Sequence, residues 1–311
     1  MELNRHDFLK TVAATGLIAS AEMGGMTTVF GQSATGANPD LVAVMGGQPE
    51  EMFTKAMESL GGIGRFVKSG QKIVIKPNIG WDKTPELAGD TNPELIGSIV
   101  KACVAAGAAS VLVFDHTCDT NWKNCYRHSG IEQAVEAAGG KMVPGNDENY
   151  YVEVSLPNAK ALKTTKIHRE LIECDAWLNV PVLKNHGGAK MTIAMKNYMG
   201  IVWDRRFFHR TDLAQCIADI CTWEKKPVLN IVDGYRVMKS NGPRGKSEND
   251  VVMPKVLFAS TDIVAIDTAA TAMFNQIVPM PLEDVKYIGY GAEMNLGTTE
   301  LAKLNVKRIK L

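Results

Sequence analysis

Trp177-Leu178-Asn179-Val180-Pro181-Val182-Leu183-Lys184-Asn185-His186-Gly187-Gly188 is a largely apolar run that ends abruptly in Lys, Asn, His and two glycines. Residues 177–182 read as a core strand, because short apolar runs rich in β-branched residues belong to strands covered on both faces. The same construction recurs outward in both directions. Residues 72–76 deliver Lys76-Pro77-Asn78, residues 111–114 deliver Asp115-His116, and residues 228–232 deliver Asp233-Gly234.

Helical stretches separate these runs. Residues 50–60 close on Gly61-Gly62, and a helix from Asn92-Pro93 to 106 has proline in its first turn and Gly107 as its stop. Residues 131–138 stop at Gly139-Gly140. Residues 41–45, 255–259 and 306–309 read as further strands, and 262–274 and 283–290 as further helices. The alternation predicts an α/β fold: a mainly parallel, Rossmann-like sheet with helices on both faces. Shorter alternating pieces over 142–167 predict a small strand-rich insertion. We expect one α/β domain over 39–311, preceded by an export signal and linker over 1–38.

The chain has 311 residues, 45% apolar and 22% charged, enough for a sizeable core and unlike disordered, collagen-like or coiled-coil chains. Its 34 Lys and Arg balance 34 Asp and Glu, so no overall field would draw it to nucleic acid.

The first residues carry Arg5, His6 and Lys10 ahead of an uncharged run over 11–21, the n-region and h-region of an export signal. Asn4-Arg5-His6-Asp7-Phe8-Leu9-Lys10 resembles a twin-arginine signal with His6 where a second arginine is usual. The alternative is an ordinary first helix. Export by the twin-arginine machinery to the periplasm or medium is the expectation, with cleavage after Ala21 or near Gly31. Eleven apolar residues are too few to span a bilayer, so no stable membrane anchor is expected. Six cysteines form no C-x-x-C pair, and no iron–sulfur cluster is expected. A Cys118–Cys125 disulfide and free thiols both stay open.

In open α/β sheets, ligands bind beyond the carboxyl ends of the strands. Lys76, Asp115, Lys184 and Asp233 all follow apolar runs and would collect at that rim. Any one of them could equally be a solvated turn residue. The segment 184–210 holds Lys184, Lys190, Lys196, Arg205, Arg206 and Arg210 against Asp204 alone, which favours an anionic ligand unless acids elsewhere neutralise it. Gly187-Gly188 would let backbone approach an oxyanion, with a helix from about Ala189 aiming its free N–H groups there and placing Lys190 and Asn197 on one face. His186 and His116 are candidates for proton transfer. Asp233, Asp262 and Asp267 offer oxygen ligands for a divalent ion, although Asp262 could simply cap a helix. Neither a Walker A loop nor a G-x-G-x-x-G fingerprint is present.

These strings resemble the domain of unknown function 362 family. Asp175 through Gly187, then Lys190-Met191-Thr192 to Lys196-Asn197 and Gly200, look like its central motif. Lys76-Pro77-Asn78 resembles its K-x-N element. Asp233-Gly234, Gly242-Pro243-Arg244-Gly245 and Asp262-Ile263-Val264-Ala265-Ile266-Asp267 resemble its late elements. The resemblance implies an α/β domain with no generally established reaction, and it adds weight to Lys76, Asn78, Lys184, His186, Lys190, Lys196, Asn197, Asp233, Asp262 and Asp267.

The expectation is therefore an exported enzyme acting on a small phosphorylated or carboxylated metabolite. His186, Lys184, Lys76 and Asp115 would do the chemistry. Asn78, Gly187, Gly188, Lys190, Lys196 and Asn197 would hold the ligand, and a divalent ion would sit on the aspartates. The alternatives are a non-catalytic anion- or metal-binding protein of the periplasm, or a redox accessory protein.

Overall fold

The structure, a computed structural model, describes residues 38–311, so the expected export signal lies outside the described residues. The first half runs β1 (Leu41–Met45), α1 (Pro49–Ser59), β2 (Lys72–Pro77), α2 (Pro93–Ala105), β3 (Ser110–Val113), α3 (Trp122–His128), α4 (Ile131–Ala137) and β4 (Lys141–Met142). A hairpin of β5 (Tyr151–Ser155) and β6 (Thr164–His168) follows, then α5 (Arg169–Glu173), β7 (Ala176–Val180), β8 (Val182–His186) and β9 (Lys190–Thr192). The chain continues through α6 (Ala194–Asn197), α7 (Arg206–Arg210), α8 (Leu213–Ile220), β10 (Leu229–Met238) and β11 (Val251–Val252). It ends with β12 (Val256–Ser260), α9 (Ile263–Phe274), α10 (Lys286–Glu293) and β13 (Val306–Lys310).

The main sheet has the order β13-β1-β12-β10-β7-β2-β3-β4. β10, β7, β2, β3 and β4 are mutually parallel, and β12 alone on this path runs against its neighbours. The expected α/β architecture is present, and the insertion over 142–167 holds the separate β5–β6 sheet.

Side chains along each strand alternate between two cores. Val42, Val44, Ile73 and Ile75 join Met52, Phe53, Leu95, Ile99 and Val135 on one face, which α1, α2 and α4 cover. Leu41, Ala43 and Val74 join Ile217, Val264, Phe274 and Tyr287 on the other, under α8, α9 and α10. This period of two is what a pleated strand imposes.

Pro181 divides what would be one long strand into β7 and β8. It has no N–H to offer the ladder, and its carbonyl accepts Asp233 N–H at 2.9 Å. The ten-residue β10 spans the break, pairing first with β7 and then with β8. No helix begins near Ala189. β8 turns through Gly187-Gly188-Ala189 into β9, with Lys184 opposite Thr192 and His186 opposite Lys190. Met191, Thr192 and Ile193 are all buried, and helix starts only at Ala194. Lys190 and Asn197 therefore do not share a helix face: Lys190 is exposed in the hairpin, and Asn197 is buried in α6.

The β5–β6 hairpin is anchored to the second face by one carboxylate. Asp219 in α8 is fully buried and accepts the N–H groups of Lys160, Ala161 and Leu162 at 2.8, 2.6 and 2.8 Å, plus Gln215 Nε2. Asp219→Ala leaves those donors without an acceptor. We expect a loss of about 2–4 kcal/mol in urea unfolding and faster hydrogen exchange confined at first to residues 160–162.

Candidate functional site

Lys76 ends β2 and Asp115 follows β3, its parallel neighbour, so both side chains meet at the carboxyl rim. Lys76 Nζ stands 2.9 Å from Asp115 Oδ1 and donates to Asn197 Oδ1 at 2.6 Å. Both charged residues are buried, and burial pushes the Lys76 pKa down against the raising effect of Asp115. Asp115 Oδ2 accepts Ile79 N–H at 2.6 Å. Asn197 returns its amide to Lys76 O and to Asn179 Oδ1, at 3.2 and 2.8 Å, while Asn78 Nδ2 donates to Asn197 Oδ1 at 3.2 Å.

Asn197 reaches this position because α6 is held from the far side. Asp267, buried in α9, accepts Ala194 N–H and Met195 N–H at 2.7 and 2.9 Å, filling the first turn of α6 as an N-cap would. Burial raises its pKa to about 8. Asp262 caps α9 itself through Val264 and Ala265 N–H and also accepts Thr298 N–H. Asp233 accepts Asn92 and Tyr235 N–H, and burial raises its pKa to about 6. The three aspartates serve three separate stretches of backbone. Among the described residues no group of three His, Cys, Asp or Glu side chains is gathered for a metal ion.

Above the Lys76–Asp115 pair lies a pocket of about 360 Å³. Asn78, Asp115, His186, Lys196 and Asn197 line it, together with Trp81, Cys118, Arg205, Arg206 and His209. Lys76 stands behind Asp115. Lys184 does not line the pocket; its Nζ donates to Gly89 O, and burial lowers its pKa to about 8. Gly187, Gly188 and Lys190 sit on the exposed hairpin outside the lining.

Lys196 differs from the other two lysines. Its ammonium makes no hydrogen bond or ion pair with any described residue, and burial, followed by Arg205 and Lys184 among the cations, lowers its pKa to about 8. Arg205 is locked by carbonyls and not by an acid: Nη1 donates to His116 O and Nη2 to Thr117 O, both at 2.7 Å.

The two histidines are neutral. Burial and the neighbouring Lys196 and Lys184 push the His186 pKa down to about 2. Its Nδ1 accepts Ala189 N–H at 3.0 Å, which leaves the proton on Nε2 as a hydrogen-bond donor. His116, whose pKa burial lowers to about 4, donates Nδ1–H to Val202 O at 2.9 Å and stacks on Trp203 with ring centroids 4.9 Å apart.

His116, Arg205 and Arg206 also form one wall of a second hollow of about 690 Å³, between Trp203, Phe207 and the edge of the β5–β6 hairpin. Trp203 N–H donates to Lys166 O at 3.1 Å, so the hairpin and this wall are stitched together.

Arg205 and Arg206 enter the site from the cationic segment 184–210 that the sequence marks for an anionic ligand, whereas Trp203 and His209 of the same segment are not legible there as site residues. Cys118 is marked in the sequence only as a possible disulfide partner of Cys125, and the structure has both as free thiols.

Gly200 closes over the ion pair, and its carbonyl accepts His116 N–H at 3.1 Å. A Cβ there would overlap Asp115 Oδ1 and Lys76 Nζ, neither of which has room to withdraw. Gly200→Ala is expected to cost about 2 kcal/mol or more, read as a lower urea midpoint at unchanged m.

A curated relative, thylakoid-associated protein sll1697 of Synechocystis sp. (strain ATCC 27184 / PCC 6803 / Kazusa), is 25% identical over 230 residues, covering 69% of this chain and 66% of that protein. This chain thus spans just under two thirds of the relative's length. Among solved structures, the lactate racemase apoprotein from Thermoanaerobacterium thermosaccharolyticum aligns with a TM-score of 0.45 and 14% identity, over 73% of this chain and 56% of the other. The family described as "Domain of unknown function (DUF362)" matches residues 73–272, a span from β2 to α9 that contains every residue of the pocket, and the chain belongs to that family.

Proposed function

We propose that this protein binds a small phosphorylated or carboxylated metabolite in the rim pocket. One observation carries the reading. Asp115, the one carboxylate in the lining, is taken by Lys76, while Lys196 has no partner and neither Arg205 nor Arg206 pairs with an acid among the described residues. Cations without internal anions, in a partly dry pocket, favour an anionic guest.

As an enzyme, the protein would use Lys196 and Arg205 to hold the anionic group. Neutral His186 would donate Nε2–H to negative charge developing on the substrate. Lys76, Asp115 and Asn197 would keep the floor in place. The low pKa values of both histidines speak for hydrogen bonding over proton shuttling near neutrality, and on that ground non-catalytic binding is the second reading.

Sulfate tests the pocket because its charge does not change between pH 6 and 10. Calorimetry with the mature chain should detect one site, weakened roughly ten- to a hundredfold by Lys196→Ala. Raising the pH through about 8 discharges the Lys196 ammonium. Affinity should therefore be flat below about pH 7 and fall by up to about tenfold per unit above pH 8, and Lys196→Arg should extend the plateau. Equal sulfate binding by wild type and Lys196→Ala would end the proposal.

We further propose that the chain is exported by the twin-arginine machinery and works in the periplasm or outside the cell. Support comes from the Arg5 to Lys10 string and the uncharged run behind it. Among the described residues no helix is long and apolar enough to cross a membrane. Cell fractionation should find a shortened protein outside the cytoplasm, with Arg5→Lys retaining the full-length chain inside.

A further inference from the structure

We propose that Cys118 is a reactive thiol built into the anion pocket, placed to form a bond with small electrophiles that carry a carboxylate or phosphate. The inference rests on the anion-pocket reading above and goes beyond it by naming a nucleophile and a class of ligand.

All six cysteines are free thiols, and Cys118 alone is exposed; Cys103, Cys125, Cys174, Cys216 and Cys221 are buried. Its Sγ accepts from Arg205 Nη1 at 3.4 Å, and that guanidinium is fixed by two carbonyls. Lys196 lines the same pocket as Cys118. The sulfur thus touches an anchored cation and shares its pocket with an unpartnered one.

An unsatisfied polar atom in the same lining points independently to a ligand. Asn78 Oδ1 is enclosed without a donor, and a Cβ placed on Gly80 would stand 4.0 Å from both that oxygen and Cys118 Sγ, so the two border one small space. An enclosed acceptor in the same lining as a cation with no acceptor describes a space that a ligand with both an anionic group and a donor would complete.

The chemistry needs no further reagent. With iodoacetate as probe, a bond forms between sulfur and the methylene carbon as the carbon–iodine bond breaks. Iodide leaves with the electron pair, and the thiol proton passes to the buffer. Lys196 and Arg205 would concentrate the carboxylate beside the sulfur. Iodoacetamide is nearly the same size and lacks the charge.

The test is alkylation of the native full chain by each reagent, mapped by peptide mass spectrometry and normalised to glutathione in the same buffer. We expect Cys118 to favour iodoacetate over iodoacetamide by about tenfold relative to glutathione. Sulfate should slow the iodoacetate reaction, and Lys196→Ala and Arg205→Ala should each erase most of the preference. A glutathione-like ratio at Cys118 in a chain that binds sulfate overturns the inference and leaves the pocket standing. Absence of both sulfate binding and preference removes both. A preference that survives in Lys196→Ala also overturns it, because the selectivity would then not come from the pocket.

Discussion

The buried contact between Lys76 and Asp115 is the constraint around which the rim is organised. Taking an ammonium and a carboxylate out of water costs several kcal/mol per ion, and the fold tolerates this only where the remaining donors and acceptors are also met. Here Asn197 and the Ile79 N–H meet them. From Asn197 the bonding runs through Asn179 to Asn230, and Asn230 donates to Ser260 O. The chain of amides crosses β7, β10 and β12 inside a sheet whose faces are otherwise apolar. A network of this kind rigidifies its surroundings, and the pocket is built on that floor.

The same economy explains how a chain of zero formal charge presents a cationic hollow. Acids are not scarce in the protein; they are occupied elsewhere. Asp267 holds α6, Asp262 caps α9, Asp219 ties down the hairpin and Asp233 serves the turn before α2. Backbone N–H groups consume carboxylates that could have neutralised the rim. Each group that fixes the scaffold is also one withheld from the lysine and arginines.

Much of this architecture is legible in the sequence because the central strands are buried on both faces, so residues 72–76 and 177–182 stand out without any need for periodicity. Strand ends then place Lys76 and Asp115 on one rim by topology alone. What stays hidden is long-range. The stretch after Gly188 contains too few residues to tell a strand period from a helical one, and only the pairing of residues 190–192 with β8 resolves it. Asp267 reads as a metal ligand when its partners, Ala194 and Met195, are 73 and 72 positions away. Lys184 and Lys196 look alike as letters, yet one is spent on Gly89 and the other is open. Cys118 gains its surroundings only when Arg205, 87 positions later, folds against it.

The wall shared by the inner pocket and the larger hollow beside the hairpin sets a direction for anything that enters. A molecule anchored by its charge at Lys196 and too long for the inner space would pass over His116 and the two guanidinium groups toward Trp203 and Phe207. On the binding reading proposed above, chain length along that line would be read by the hairpin and not by the charged floor. Substitutions on the β5–β6 strands could retune which homologue of a guest is accepted while the grip on its head remains as it was.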